Sequence, residues 1–147
     1  MGYQGYSQNA LAAGFGLTNM NFNTLTPVIT ARADSGSFWR TSASICDSLG
    51  RLQFYTNGIF IYGTDGHSLA GNDTLSIGFY SRGQRFLDGY PLLQSALILP
   101  LPNNHHLYYV FHQQLNDNYA TTPVIENLFY TIVDMAQNNG RGRVFSI

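Results

Sequence analysis

Ser42–Tyr62, SASICDSLGRLQFYTNGIFIY, packs three short strands and two tight turns into about twenty residues, and the pattern then recurs. Ser42-Ala43-Ser44-Ile45 returns 53 residues later as Ser95-Ala96-Leu97-Ile98, and Leu52-Gln53-Phe54-Tyr55 returns 55 residues later as Leu107-Tyr108-Tyr109-Val110. A strand-built repeat of about fifty residues points to propeller blades. One blade cannot bury both of its faces, so the pattern implies an architecture larger than a single unit. Asp47-Ser48-Leu49-Gly50 carries Asp first and Gly fourth, the chemistry of a type I turn leading into a bulged hairpin. Asn57-Gly58 is the strongest two-residue hairpin signal. Ile45, Phe54 and Ile61 are therefore expected on three adjacent antiparallel strands.

Composition supports strands and turns. The chain has no lysine and one glutamate, Glu126, while Asn, Gly, Thr, Ser, Tyr and Phe are abundant, so the usual surface helix formers are missing. A hydrophobic content of 44% with 14% aromatics is enough for a packed core in 147 residues. Seven arginines against eight acids give a net charge of −1 with no basic stripe, which argues against nucleic-acid and membrane-surface roles. Cys46 is the only cysteine, leaving no intrachain disulfide, and its apolar strand suggests a small buried hydrophobe. No apolar run reaches the roughly 18–20 residues of a membrane helix. The first residues lack the basic start of an intact signal peptide.

Along the chain, 1–13 reads as a flexible polar leader, and Phe15–Phe22 and Leu25–Ala31 as strands, the second demoted to an edge by Pro27. Residues 14–63 form the first expected blade. Residues 64–93 are a long Gly/Asp/Ser/Arg-rich connection with one candidate strand, Leu75–Tyr80, and a connection of that length is commonly functional. Residues 94–147 form the second blade: Ser95–Leu101 and His106–Gln113 turned by Pro102-Asn103-Asn104, then Asn127–Met135, then Gly142–Ile147, read as a strand without a closing turn and hence as a sign of an incomplete chain. These runs are apolar on successive residues, as in strands covered on both faces. The expected fold is all-β, about two four-stranded antiparallel blades of a partial β-propeller.

Several of these segments together, SICDSLGRLQFYTNG, Ser68–Asn72, QSALILPLP, LYYVF, FYTIVDM and Gly140–Val144, resemble the first blades of the propeller near the N-terminus of large exported proteins of gliding Bacteroidetes-type bacteria. Phe15-Gly16 and Asn19–Phe22 occupy the places of that family's FG and GLDF segments, with Asn21 where the family has Asp. The resemblance implies a secreted or surface-attached module, exported by type IX secretion after removal of a signal peptide. Thr74–Pro91 and Asn116–Ile125 are longer than usual for the family, which locates any special ligand binding there; Tyr80, Arg82, Arg85, Tyr90 and Tyr119 are the side chains expected to make it. Asp47-Ser48-Leu49 and Asp73-Thr74-Leu75 resemble the family's O-glycosylation acceptors, marking Ser48 and Thr74.

The chemistry-bearing candidates have plainer readings. Gly66-His67-Ser68-Leu69-Ala70 mimics the nucleophile elbow of serine hydrolases, with Asp88 and His105 or His112 as partners, yet the turns on either side deny it the required strand and helix. His105 and His106 read as solvated turn residues and His112 as a hydrogen-bonded core group. Asp65, Asp73 and Asn116–Asn118 offer oxygen donors for a structural Ca2+ but lack an EF-hand pattern, so no cofactor is expected. Asp47 and Asp134 read as turn caps. Most tyrosines, Tyr55, Tyr62, Tyr108, Tyr109 and Tyr130 among them, are expected to line the spaces between sheets.

The expectation is thus a non-catalytic exported propeller module, structural, adhesive or partner-binding, whose partner is a protein or glycan at the cell surface, further blades, or another chain along exposed sheet edges. The alternatives are a propeller hydrolase or lyase acting on extracellular polysaccharide, and a subunit of a surface or secretion assembly.

Overall fold

Short runs of β-branched and aromatic residues broken by Asp, Asn and Gly become strands and turns in the computed structural model, which describes residues 17–32, 38, 40–72, 74–78, 81, 89–116, 122 and 124–145. Among these, nine strands form three antiparallel sheets. β1 (Leu17–Asn21) and β2 (Val28–Arg32) make a hairpin. β3 (Ala43–Cys46), β4 (Leu52–Thr56) and β5 (Ile61–Gly63) make a three-stranded meander. β6 (Ala96–Pro100), β7 (Leu107–Leu115), β8 (Ile125–Asp134) and β9 (Arg143–Phe145) make a four-stranded meander. The all-β, antiparallel expectation holds, and Ile45, Phe54 and Ile61 do come from three consecutive neighbouring strands.

The first turn follows its sequence. Gly50 N–H donates to the Asp47 carbonyl at 3.0 Å, Gly50 sits at φ +75°, and the register slips between Ile45 and Cys46, giving a bulged hairpin. The Asp47 carboxylate accepts the Leu49 and Arg51 amides at 2.9 Å and the Arg51 side chain at 2.7 Å. The Arg51 amide bond, foremost among these contacts, holds its carboxyl below the usual carboxylate range.

The second turn is longer than its Asn-Gly pair suggests. Thr56 stands opposite Ile61, so Asn57–Phe60 form a four-residue loop. Ile59 is wholly buried and packs with Tyr90 and Leu115, and that burial draws the chain into a wider turn. Asn57 Oδ1 accepts the Ile59 and Phe60 amides, and Gly58 takes φ +82°. A Cβ on Gly58 would lie 2.7 Å from Tyr90 Cβ and 2.8 Å from Thr41 Cγ2, so only glycine fits.

The three- and four-stranded sheets meet across one core of Phe54, Ile61, Leu69, Leu75, Ile98, Tyr108, Val110, Val133 and Val144. Phe54 meets Tyr108 edge to face at 5.3 Å. Residues 67–70 join the sheets along one side. Leu69 N–H donates to Ile61 O at 3.0 Å, and Val144 N–H donates to Ala70 O at 2.8 Å. Gly71, at φ +72°, lets this segment approach β9, since a Cβ there would lie 2.5 Å from Val144 O. On the other side β3 and β6 lie alongside each other with no ladder between them, so the described strands do not close into a ring. Thr41 Oγ1 and Ser95 Oγ, just ahead of those strands, are hydrogen-bonded at 2.7 Å.

Three local expectations are corrected. Leu75–Gly78 form no strand, because Leu75 drops into the core while Ser76 turns at φ +52°. Cys46 is exposed: β3 alternates, with Ala43 and Ile45 turned inward and Ser44 and Cys46 outward. Residues 67–70, read as part of the long connection and outside its one candidate strand, supply the strand-like link between the sheets. The leader 1–13 lies outside the described residues. No helix among the described residues is long and apolar enough to cross a membrane.

Candidate functional site

Strand alternation gives the four-stranded sheet two faces, and both are apolar. Residues directly opposite each other in an antiparallel pair share a face. The inner set, Ile98, Val110, Tyr108, Val133 and Val144, is covered by β3–β5. The outer set runs across the strands through the pairs Leu97–Phe111, Leu99–Tyr109, Phe111–Tyr130, Tyr109–Ile132 and Ile132–Phe145, with Leu128 next along β8. Here Leu97 is 55% exposed, Leu99 43%, Leu128 67%, Tyr130 44% and Phe145 41%. Tyr109, Phe111 and Tyr130 form a ring cluster at its centre, with Tyr109 edge to face on Tyr130 at 5.6 Å. Arg143 lies over the Phe145 ring at 5.7 Å at the margin. No described residue covers this apolar face.

The inner face carries a buried histidine in a polar network. His112 is 5% exposed; its Nδ1 lies 2.7 Å from Ser76 Oγ and its Nε2 lies 3.2 Å from Thr131 Oγ1. Ser76 O–H donates to the Gln113 carbonyl at 2.8 Å. A serine has one hydroxyl proton. With that proton on the Gln113 carbonyl, Ser76 accepts from Nδ1–H, and Nε2 accepts from Thr131. Every member is satisfied with a neutral imidazole, and burial pushes the His112 pKa down to about 4. A serine that accepts the imidazole proton is not activated by it, and both ring nitrogens are committed to hydroxyls, leaving neither for a carboxylate. The arrangement is structural cement between the 74–78 segment, β7 and β8.

Among the described residues, Ser68 and His112 are not joined. Ser68 is exposed on the linking segment and accepts from Asn72 Nδ2 at 2.8 Å, whereas both His112 ring nitrogens are taken by Ser76 and Thr131. His105 and His106 are exposed at the β6–β7 turn. Asp88 lies outside the described residues, as do Asp73, Asp117 and Asn118. Asp65 caps the turn that follows β5, its Oδ1 accepting the His67 amide at 3.0 Å, and that bond is the main reason its pKa is lowered. Asp134 Oδ1 accepts the Ala136 amide at 2.9 Å, ahead of a left-handed turn in which Asn138 and Asn139 take φ of 53° and 56°. Among the described residues no three His, Cys, Asp or Glu side chains converge on a point that could hold a metal.

Of the side chains expected to meet a ligand, Tyr80, Arg82, Arg85 and Tyr119 lie outside the described residues. Tyr90 is a core residue: it is 1% exposed, its hydroxyl accepts the Leu115 amide at 2.7 Å, and burial raises its pKa. Its ring is committed to packing with Ile59 and Leu115 and offers no face to a ligand. Ser48 is exposed at the first turn and Thr74 is half-buried. Tyr55, Tyr62 and Tyr108 are buried, with burial pushing Tyr62 up to about 12. Sequence reading anticipated His112 as a hydrogen-bonded core group and strands apolar on both faces, but not the partners Ser76 and Thr131 or the exposure of the outer face. The outer face had a signal, the unbroken apolar runs in β6, β7 and β8; for the partners of His112, distant in sequence, there was none.

No protein-family model matches this sequence, and no curated protein or solved structure matches it either.

Proposed function

We propose that this chain is a non-catalytic module of a secreted or cell-surface protein, a partial β-propeller whose role is structural or adhesive and is exercised by presenting a sheet face to a partner. The observation that carries the reading is the open outer face of β6–β9, where Leu97, Leu99, Leu128, Tyr130 and Phe145 are all at least 41% exposed. Stacked sheets around a common axis would cover such a face as β3–β5 cover the inner one, and the repeat of about fifty residues supplies like units. The resemblance to exported propeller proteins supports the location, and Ser48 at an exposed turn is open to O-glycosylation there. The satisfied, neutral Ser76–His112 pair offers a serine-hydrolase reading no activated nucleophile.

The test is binding of an apolar fluorescent dye by the purified chain, alongside assays on a panel of polysaccharides and esters. Dye emission should rise with the native chain and fall several-fold in Leu97→Glu and Leu128→Glu, with no turnover of any substrate. Hydrolysis that disappears in His112→Gln, or dye binding indifferent to both face variants, would sink the reading.

A further inference from the structure

We infer that the outer face of β6–β9 pairs with the same face of a second copy of this chain, giving a reversible two-fold dimer; this names the partner in the reading above and rests on it. The first argument is area. Five side chains are 41–67% uncovered; two of them, Tyr130 and Phe145, are aromatics of the kind that bury on the order of 150–250 Å² each when fully covered. With the half-buried Tyr109, Phe111 and Ile132 between them, the patch is about 500 Å², near the top of what a monomer leaves open (roughly 300–600 Å²). Two such patches bury about 1,000 Å² in total, the size at which a specific but weak interface begins.

The second argument is charge. The outer positions from Leu97 and Leu99 through Phe111 and Tyr109 to Tyr130 and Leu128 include no ionisable group except tyrosine, and the registered pair Asp134–Arg143 stands at the margin. A chain of net charge −1 meets its own copy with almost no long-range repulsion, the condition under which association is favoured.

The third argument is symmetry. Head-to-tail stacking needs a second open apolar sheet face, and on the outward side of β3–β5 the exposed positions are the small Ser44 and Cys46 of β3 while the aromatic rings beside them are covered. Tyr55 and Tyr62 are 7% and 6% exposed there, stacked at 5.3 Å with Phe38 tilted against Tyr55 at 5.6 Å. A contact of the β6–β9 face with its own kind is isologous and closes at two copies, whereas a contact with the apolar side of the β1–β2 ribbon would be head-to-tail, which the hairpin variant below separates from it. The Leu and aromatic side chains of two such faces interdigitate in an aligned sheet-on-sheet packing.

Sedimentation velocity on the full chain, from low to high micromolar concentration, tests this. The mass should climb from 16.3 kDa toward twice that value with concentration. Leu128→Arg and Leu97→Glu, at exposed positions that spare the core, should each hold it at 16.3 kDa with an unchanged circular dichroism spectrum. Met20→Glu combined with Ile29→Glu in the β1–β2 hairpin should leave the dimer intact. A chain that stays monomeric yet still binds apolar dye overturns self-pairing and leaves partner binding standing. A monomer that binds no dye overturns both. A mass increase that survives both face variants, or that vanishes in the hairpin variant, assigns the contact to another surface and overturns the proposal.

Discussion

His112 shows how a buried residue writes itself into pH dependence. Its folded pKa of about 4 lies below the ordinary 6.5 because burial disfavours the imidazolium. Between those two values the unfolded chain binds a proton that the folded chain does not. Stability is therefore complete above pH 6.5 and falls as pH drops toward 4, by up to about 1.4 kcal/mol per pH unit. Urea midpoints at pH 7 and pH 5 measure the slope. The carboxylates of Asp47 and Asp65, with lowered pKa values, titrate below that window. His112→Gln should flatten the slope, and an unchanged slope would remove His112 as its source. Gly58 makes a sharper demand. Its φ is +82°, and a Cβ added there would come within 2.8 Å of both Tyr90 and Thr41. Gly58→Ala should therefore cost roughly 1–3 kcal/mol from backbone strain, with more from the clash. A denaturation midpoint within experimental scatter of the native chain would contradict it. The Asn57-Gly58 signal located this turn but not its length, because the deciding residue is Ile59, buried by partners from distant segments. Ser76 and His112 lie 36 residues apart, and nothing local announces that they will meet.

At the scale of strands, one sheet presents two apolar faces with different energetics. Phe54 is wholly buried between the sheets, so Phe54→Ala should cost about 3–5 kcal/mol through lost transfer energy and the cavity it leaves. Leu128 is equally apolar but 67% exposed, so Leu128→Ala in the dilute chain should stay within about 0.5 kcal/mol. Equal losses in the two variants, read from urea unfolding, would mean that the outer face is covered by the chain itself. The strands were legible where period-2 patterning met turn chemistry. β3, β4 and β5 lie where Ile45, Phe54 and Ile61 put them, and β6 and β7 flank the Asn103-Asn104 turn, Asn103 taking φ +61°. The doubly apolar runs in β7 and β8 announced two-sided covering, and the fold fulfils half of it within the chain. The strand expected from Leu75 misled over 75–78 because Leu75 is an anchor for a turning segment, with no ladder partner among the described residues.

Across the whole molecule, stability is distributed unevenly, and the hairpin β1–β2 marks its weak end. Residues 18–31 are exposed throughout, with Met20 at 55%, Ile29 at 62% and Phe22 at 69%. Met20 and Ile29 face each other across the ladder, so one side of the ribbon is apolar and uncovered by any described residue. Among the described residues, Asn23 Nδ2 ties it to the main body by donating to the Gly50 carbonyl at 3.3 Å. A two-stranded ribbon without a covering layer is marginal in water, whereas Val110 and Val133, at 0% exposure, sit in strands paired on both sides. Amide exchange should therefore separate the molecule into two classes. The ladder amides of β7 and β8 should exchange only through global unfolding, slowed in proportion to the full folding free energy. Those of β1 and β2 should exchange through local opening, orders of magnitude faster and with no dependence on His112 protonation. Since apparent protection responds to anything that binds only the closed form, slow exchange in β1–β2 at low concentration would mean that the hairpin's apolar side is covered within the chain. Slowing that grows with protein concentration would place the hairpin, and with it Met20 and Ile29, inside an intermolecular contact.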